Sequence, residues 1–153
     1  PLAQFARHLG VAFQLLNDLN DWQGDNHNKL VAGADALGGR PTALWALALE
    51  GLDEPRRDEL LALAVQPLSD EAGQGTAVRM RRLRELYEQA GVFEKAARLV
   101  DKYQERAEAV ADQVEPEELR RLLYYLVDTV LERPGAEPAV PVVSLDLVAV
   151  ARG

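Results

Sequence analysis

The chain has 153 residues, of which 48% are hydrophobic and 27% charged, with a formal net charge of −8 and no cysteine. This length fits one domain, and the composition excludes a disordered or fibrous chain. The acidic balance argues against nucleic-acid binding because it repels phosphate backbones, and the lack of cysteine excludes disulfides, thiolate zinc sites and cysteine nucleophiles.

The first predicted element is a long amphipathic helix over residues 2 to about 22. Its apolar residues recur at helical spacing, and they are Leu2, Phe5, Leu9, Ala12, Phe13, Leu16 and Leu19. A cluster of turn-forming residues at 24–28 predicts the end of this helix, and a glycine-containing connector follows up to Gly39. Pro41 then begins an uncharged apolar run that predicts a central helix, since proline is tolerated in the first helical turn.

Four further helices are predicted, over residues 53–65, 76–90, 92–114 and 117–132. Short links join the last three, so we expect them to be antiparallel neighbours. No run of alternating β-branched residues occurs before residue 139, which predicts an all-α helical bundle over residues 1–133. Residues 134–153 contain three prolines followed by partly alternating apolar residues, and they predict an extended tail that is either a lone strand or a docking arm.

The distribution of apolar and basic residues along the sequence also predicts the cellular location. No apolar stretch approaches the ~20 residues that span a bilayer, and no basic segment typical of a signal peptide opens the chain. We therefore expect a soluble, cytoplasmic protein without a transmembrane segment. Because the chain starts at Pro1 and enters a helical pattern at once, we expect it to be part of a longer protein.

Candidate chemistry is concentrated at the end of the first helix. Asp18, Asp21 and Asp25 share one helical face if the helix continues that far, and Asn17 lies one turn from Asp21. Carboxylates are costly to desolvate, so such a group is either exposed or bound to a hard cation such as Mg²⁺, which recruits substrate phosphates. The alternative is a solvated helix face or a C-terminal cap. Since the helix macrodipole is negative at this end, we also expect a countercharge nearby.

A longer pattern surrounds these acids. Its members, in chain order, are Phe13-Gln14, Asn17-Asp18-Leu19-Asn20-Asp21, Gly24-Asp25, Asn28-Lys29, Asp35 and Gly39-Arg40-Pro41-Thr42. This order and spacing resemble the second aspartate-rich region of trans-prenyl diphosphate synthases, also called polyprenyl synthetases. That family's pattern is Phe-Gln, a DDxxD motif, a Gly-Lys pair, an Asp and a Gly-Lys-x-Thr segment. The resemblance covers roughly residues 5 to 133.

The resemblance implies the C-terminal half of an all-helical isoprenoid synthase fold. It implies Mg²⁺-dependent condensation of an allylic prenyl diphosphate with isopentenyl diphosphate, in a homodimer or in a pair with the missing N-terminal half. Metal ions and basic side chains at the leaving diphosphate lower the barrier electrostatically. Carried over to this sequence, the metal-binding and catalytic residues are Asp18 and Asp21, the further metal residues are Asn17, Asp25 and Asp35, and the diphosphate contacts are Gln14, Lys29 and Arg40.

The sequence departs from the family pattern in two ways. Asn17 stands where the family has its first aspartate, which weakens Mg²⁺ binding unless Asp25 compensates. The first aspartate-rich motif does not occur in these 153 residues, so we expect this chain alone to be inactive. A non-catalytic helical subunit or degenerate homologue is therefore an alternative. A class I terpene cyclase-like enzyme is another, because Asp21 and Asp25 occupy the Ser and Glu places of that group's Asn-Asp-Leu-x-Ser-x-x-x-Glu motif.

The remaining polar residues have simpler interpretations. The basic cluster at residues 79–84 predicts a solvated, ion-paired face, with Arg81 paired to Glu85 and Arg84 to Glu88. No two-histidine metal spacing occurs, so we expect His8 and His27 to be structural or exposed.

Overall fold

The fold is given by a computed structural model, which describes residues 1–23, 40–65 and 74–132. Within these ranges the chain forms six α-helices and no strand, so the predicted all-α class is confirmed. The helices are α1 (Leu2–Gln23), α2 (Ala43–Gly51), α3 (Glu54–Val65), α4 (Gln74–Gln89), α5 (Val92–Ala111) and α6 (Glu117–Val130). The predicted connector at 24–39 and the predicted tail at 134–153 lie outside the described residues.

The largest helix contact joins α1 to α5. One hydrophobic core lies between these helices and α6, because each contributes apolar residues at helical spacing. Its buried members include Phe5, Leu9, Ala12, Leu15 and Leu16 of α1, Val100, Ala107 and Val110 of α5, and Leu123 and Val127 of α6. Two residues of the apolar series predicted for α1, Leu2 and Phe13, are instead 52% and 43% exposed. They lie beside the buried stripe of α1 rather than within it.

A second hydrophobic core surrounds α2. This helix contacts α1, α3, α4 and α5, as expected for the predicted central helix. Leu44 and Ala48 of α2 are buried against side chains from the neighbouring helices, including Trp22, Leu60, Leu83, Leu86 and Tyr87. Ala46 and Glu50 are exposed, so α2 keeps one side open to solvent although Glu50 is its only charged residue.

Two glycines lie at helix ends where a larger residue would not fit the observed geometry. Gly91 links α4 to α5 with φ of +65°, a left-handed conformation that glycine adopts without strain. Gly51 ends α2 where this helix approaches the end of α4. A Cβ atom at position 51 would lie 2.8 Å from the carbonyl oxygen of Ala90. The close approach of α2 to Ala90 therefore depends on the missing side chain.

Among the described helices, none is both long and apolar enough to cross a membrane.

Candidate functional site

The acidic end of α1 lies against the start of α2. The carboxylate of Asp18 is buried, with the residue only 7% exposed. Its Oδ1 accepts a hydrogen bond from Nε2 of Gln14 at 3.0 Å, and its Oδ2 accepts one from the backbone N–H of Ala43 at 3.2 Å. Both oxygens of Asp18 are thus bonded to protein donors, one within α1 and one in the first turn of α2.

The start of α2 explains why a carboxylate is stable at this buried position. The first N–H groups of a helix have no partner within the helix, and its N-terminus carries a partial positive charge. Thr42 is the N-cap, with its Oγ1 accepting a hydrogen bond from the N–H of Trp45 at 3.2 Å. Asp18 supplies a second acceptor for this turn, together with a negative charge that the helix dipole favours.

Some of the other predicted site residues lie close to Asp18, whereas others are exposed to solvent or lie outside the described residues. Gln14 contacts Asp18 directly, and Asp21 is half-buried. Asn17 is exposed, as is Arg40, which precedes the α2 N-cap by two residues. The structure therefore brings Gln14, Asp18 and the segment 40–43 together, and it leaves Asn17 in solvent. The predicted residues Asp25, Lys29 and Asp35 lie outside the described ranges.

Tyr87 of α4 lies beneath this acidic end and is fully buried. Burial raises the pKa of the Tyr87 hydroxyl far above its ordinary value, and the carboxylates of Asp18 and Asp21 raise it further. The ring centroid of Tyr87 lies 4.7 Å from that of Trp22, whose ring also meets Phe93 edge-on at 5.6 Å. The closeness of Tyr87 to α1 was not predictable from the sequence, because it follows from the packing of α4 against α1.

Arg84 of α4 provides the countercharge expected at the end of α1. Its Nη1 donates to the carbonyl oxygen of Trp22 at 3.4 Å, and its Nε donates to Oε1 of Glu88 at 3.0 Å. The guanidinium also lies over the ring of Phe93, 5.8 Å from its centroid. Arg84 therefore stabilises the negative end of the α1 dipole, where cations are favoured.

The predicted solvated face at residues 79–84 is only partly correct. The Arg84–Glu88 pair is confirmed, but Glu85 pairs with Arg82 at 2.8 Å rather than with Arg81. Arg82 also binds both carboxylate oxygens of Glu59 at 2.6 and 2.8 Å, which ties α4 to α3.

Arg79 is the clearest departure from the predicted solvated face, since it is only 7% exposed. A signal for its burial was available in the sequence. Arg79 lies four residues before Leu83 and seven before Leu86, and both leucines are buried. This spacing places Arg79 on the apolar face of α4, away from the solvated side that its charge alone would predict.

The predicted magnesium ligands lie only partly within the described residues. Within them, no group of three Asp, Glu or His side chains is arranged to hold a metal. Magnesium typically takes one or two protein carboxylates, with water and phosphate oxygens completing its shell. Asp18 fits such a role only through its remaining lone pairs, because each of its oxygens already accepts one hydrogen bond.

Comparison of the chain with models of protein families, with curated proteins and with solved structures gives no match in any of the three.

Proposed function

We propose that this chain is the C-terminal part of a Mg²⁺-dependent trans-prenyltransferase of the polyprenyl diphosphate synthase type. Its substrates are an allylic prenyl diphosphate and isopentenyl diphosphate. The observation that carries the proposal is the hydrogen bond between Asp18 and the N–H of Ala43, residues 25 positions apart. It joins the aspartate segment to the residue that directly follows the Gly-Arg-Pro-Thr segment, and these are the two parts of the family-like pattern that a diphosphate site requires close together.

In this proposal each residue near the contact has a defined task. Gln14 and the start of α2 fix the orientation of the Asp18 carboxylate through the bonds to its two oxygens. Asp18 and Asp21 would hold Mg²⁺, whose positive charge would stabilise the negative charge of the diphosphate leaving group. Arg40 is exposed two residues before the α2 N-cap, and in this proposal its guanidinium binds phosphate oxygens in a bidentate manner. Asp21, with Asp25, Asp35 and Lys29, completes the proposed set.

The proposal requires a second set of ligands, because the sequence contains one aspartate-rich segment only. We place that set on an N-terminal half or on a partner chain, with a homodimer as the expected assembly. The absence of cysteine is in keeping with the cytoplasmic location that we propose.

The alternative, a non-catalytic helical subunit, is favoured by a specific observation. Both oxygens of Asp18 bind protein donors, so the hydrogen-bonding role of this carboxylate is explained without a metal ion. Asn17, at the position of the family's first aspartate, is neutral and exposed. In this alternative Asp18 serves to join α1 and α2.

Calorimetry on the protein in its natural full length separates the two functions. The titrant is geranyl diphosphate, with and without Mg²⁺. The prenyltransferase proposal expects binding that requires Mg²⁺ and weakens several-fold in Arg40→Gln. Arg121→Gln, which removes the same charge from an exposed position on α6, serves as the control and should bind as the wild type does. Binding that is absent, or indifferent to Mg²⁺, favours the non-catalytic subunit.

A further inference from the structure

Helix α6 carries apolar residues on two faces. Leu123 and Val127 are buried in the core, as expected for an amphipathic helix. Leu122, Tyr125 and Leu126 lie on another face, at the i, i+3 and i+4 positions that make them neighbours. These three residues, here called the α6 patch, are 51%, 57% and 36% exposed. An exposed apolar patch with charged residues at its edge is typical of an interaction surface.

Two residues of opposite charge border the α6 patch on the same side of the helix. Arg121 and Asp128 are seven residues apart, close to two full turns, so they point in nearly the same direction. Asp128 is exposed, and so is 77% of the Arg121 side chain. Arg121 already binds Glu117 within α6, but a guanidinium has five N–H donors and can bind a second carboxylate. The patch therefore has a cation beside its beginning and an anion beside its end.

This order of charges is complementary to its own reverse. A two-fold interface brings the same surface of two copies together, so residue i of one copy meets residue j of the other, and j meets i. Arg121 and Asp128 lie equally far from a point between residues 124 and 125. If α6 is antiparallel to its copy about that point, Arg121 faces Asp128 of the partner subunit. The same symmetry axis places Leu122 near Leu126 of the partner subunit and Tyr125 near Tyr125 of the partner subunit.

The charges also select the orientation of the two helices. In a parallel pair, Arg121 would face a second Arg121 and Asp128 a second Asp128, and like charges repel. The antiparallel pair instead forms two ion pairs, one at each end of the α6 patch. A partner with an unrelated surface has no reason to match this spacing, so the charge pattern favours a second copy of the chain.

The area of the α6 patch indicates a weak association. An interface of standard size buries about 800 Å² on each partner, and interfaces well below that size belong to transient complexes. The 14 residues of α6 measure roughly 21 Å, so one helix against its copy falls in the smaller class. Interfaces of standard size already include micromolar complexes, and we therefore expect a dissociation constant on the order of 10 to 100 µM.

We propose that two copies of this chain associate through antiparallel α6 helices. Leu122, Tyr125 and Leu126 form the apolar centre of the contact, and the ion pair between Arg121 and Asp128 of the partner subunit closes each end. The inference rests on the exposure and the charge order of α6, and it is independent of the proposed prenyltransferase activity.

Sedimentation equilibrium of the chain between about 5 and 500 µM tests the association. The mass should rise with concentration as monomer converts to dimer. Leu122→Asn should weaken the association at least several-fold. Val65→Asn, which replaces an 80% exposed apolar residue at the end of α3, should leave it unchanged. A protein that stays monomeric over this range overturns the proposal, and so does equal association of the two variants.

Charge reversal tests the ion pairs. Arg121→Asp and Asp128→Arg should each weaken the dimer several-fold, because each places like charges opposite one another. The double variant restores two opposite-charge pairs and should associate within about two-fold of the wild type. Arg98→Asp, at an exposed position on α5, makes the same change in net charge and should have no effect. A double variant as weak as the single variants contradicts the antiparallel pairing.

Disulfide trapping tests the position of the symmetry axis, because the natural chain has no cysteine. Tyr125→Cys lies beside the axis and should form an interchain disulfide under mild oxidation. Thr129→Cys is also exposed on α6 but would lie about 13 Å along the helix from its copy, beyond the reach of a disulfide. Tyr125→Cys should therefore crosslink at least several-fold faster. Equal rates overturn the proposal, since a parallel pair or random collision brings both positions together.

Discussion

The carboxylate of Asp18 in α1 accepts a hydrogen bond at 3.2 Å from the first N–H of α2, that of Ala43. The residue that the sequence nominates as a metal ligand is therefore also a cap for a neighbouring helix. Hydrogen bonds to both oxygens fix the orientation of this carboxylate in the folded protein. Less conformational entropy of the side chain is then lost when a metal ion or substrate binds to it. A change at Asp18 affects stability as well as any binding, and the two effects need separate measurements.

Asp18→Ala should destabilise the protein by about 0.5 to 2 kcal/mol, the usual cost of losing a helix cap, since it removes the acceptor of a part-buried backbone N–H in the first turn of α2. Asp18→Asn, which keeps an acceptor oxygen but loses the charge, should fall between the wild type and Asp18→Ala. The measurement is the free energy of unfolding in urea at neutral pH.

Asn17→Ala is the natural control for this comparison, because Asn17 is the exposed neighbour of Asp18. It should change the free energy of unfolding by no more than about 0.5 kcal/mol. Equal stability of Asp18→Ala and Asn17→Ala would show that the bond to Ala43 contributes nothing to the joint between α1 and α2.

Two glycine-to-alanine substitutions should change the free energy of unfolding in opposite directions. Gly51→Ala places a Cβ atom 2.8 Å from the backbone oxygen of Ala90, which forces α2 and the end of α4 apart. We expect a loss of about 1 to 3 kcal/mol, the usual cost of overpacking. Gly10→Ala, within α1, has no atom within 4 Å of the new Cβ and should gain about 0.5 to 1 kcal/mol from helix propensity. Thermal unfolding of both variants tests the pair, and a stabilising Gly51→Ala contradicts the close approach.

The helices were predictable from the sequence because their apolar residues repeat at helical spacing. The limits of that signal are visible in α1. Phe13 fits the apolar series but is 43% exposed, whereas Leu15, outside the series, is buried. Periodicity identifies a stripe on a helix, but the partner helices decide which edge of the stripe is covered. Here α5 and α6 cover the edge that contains Leu15.

Of the candidate site, only the part formed by residues close in sequence was predictable. The sequence indicates which residues are acidic, and the resemblance indicates that the aspartate segment and the segment around Arg40 belong together. The hydrogen bond from Ala43 to Asp18, the position of Tyr87 and the contact of Arg84 with the Trp22 carbonyl arise from packing between helices distant in sequence. A short motif carries no information about such contacts.

Tyr87 should make the fold sensitive to alkaline pH. Burial and the nearby carboxylates raise the pKa of its hydroxyl in the folded state. A raised folded pKa means that the unfolded chain loses its proton first, at the ordinary tyrosine value of about 10. The stabilisation from this hydroxyl is therefore complete below pH of about 10 and is lost as the pH rises towards the folded pKa.

The measurement is unfolding in urea between pH 9 and 11, with tyrosinate absorbance followed in parallel. Tyr87→Phe should show a shallower loss of stability with rising pH than the wild type. Tyr125→Phe, at a residue that is 57% exposed, should follow the wild type. Parallel curves for Tyr87→Phe and the wild type would mean that the Tyr87 proton is not linked to folding.

Asn17→Asp tests the proposed metal site by restoring the charge that the family pattern has at this position. Asn17 is exposed, so the substitution should leave the stability within about 0.5 kcal/mol of the wild type. If Mg²⁺ binds at the acidic end of α1, an added carboxylate one turn from Asp21 should tighten Mg²⁺ binding several-fold, since affinity rises with ligand charge. Gln4→Glu adds the same charge at the opposite, exposed end of α1 and controls for general electrostatic attraction. Calorimetric titration with MgCl₂ at constant ionic strength should therefore separate the two variants. Equal Mg²⁺ affinities of Asn17→Asp and Gln4→Glu would show that Mg²⁺ does not bind at this end of α1. The role of Asp18 would then be to join α1 and α2.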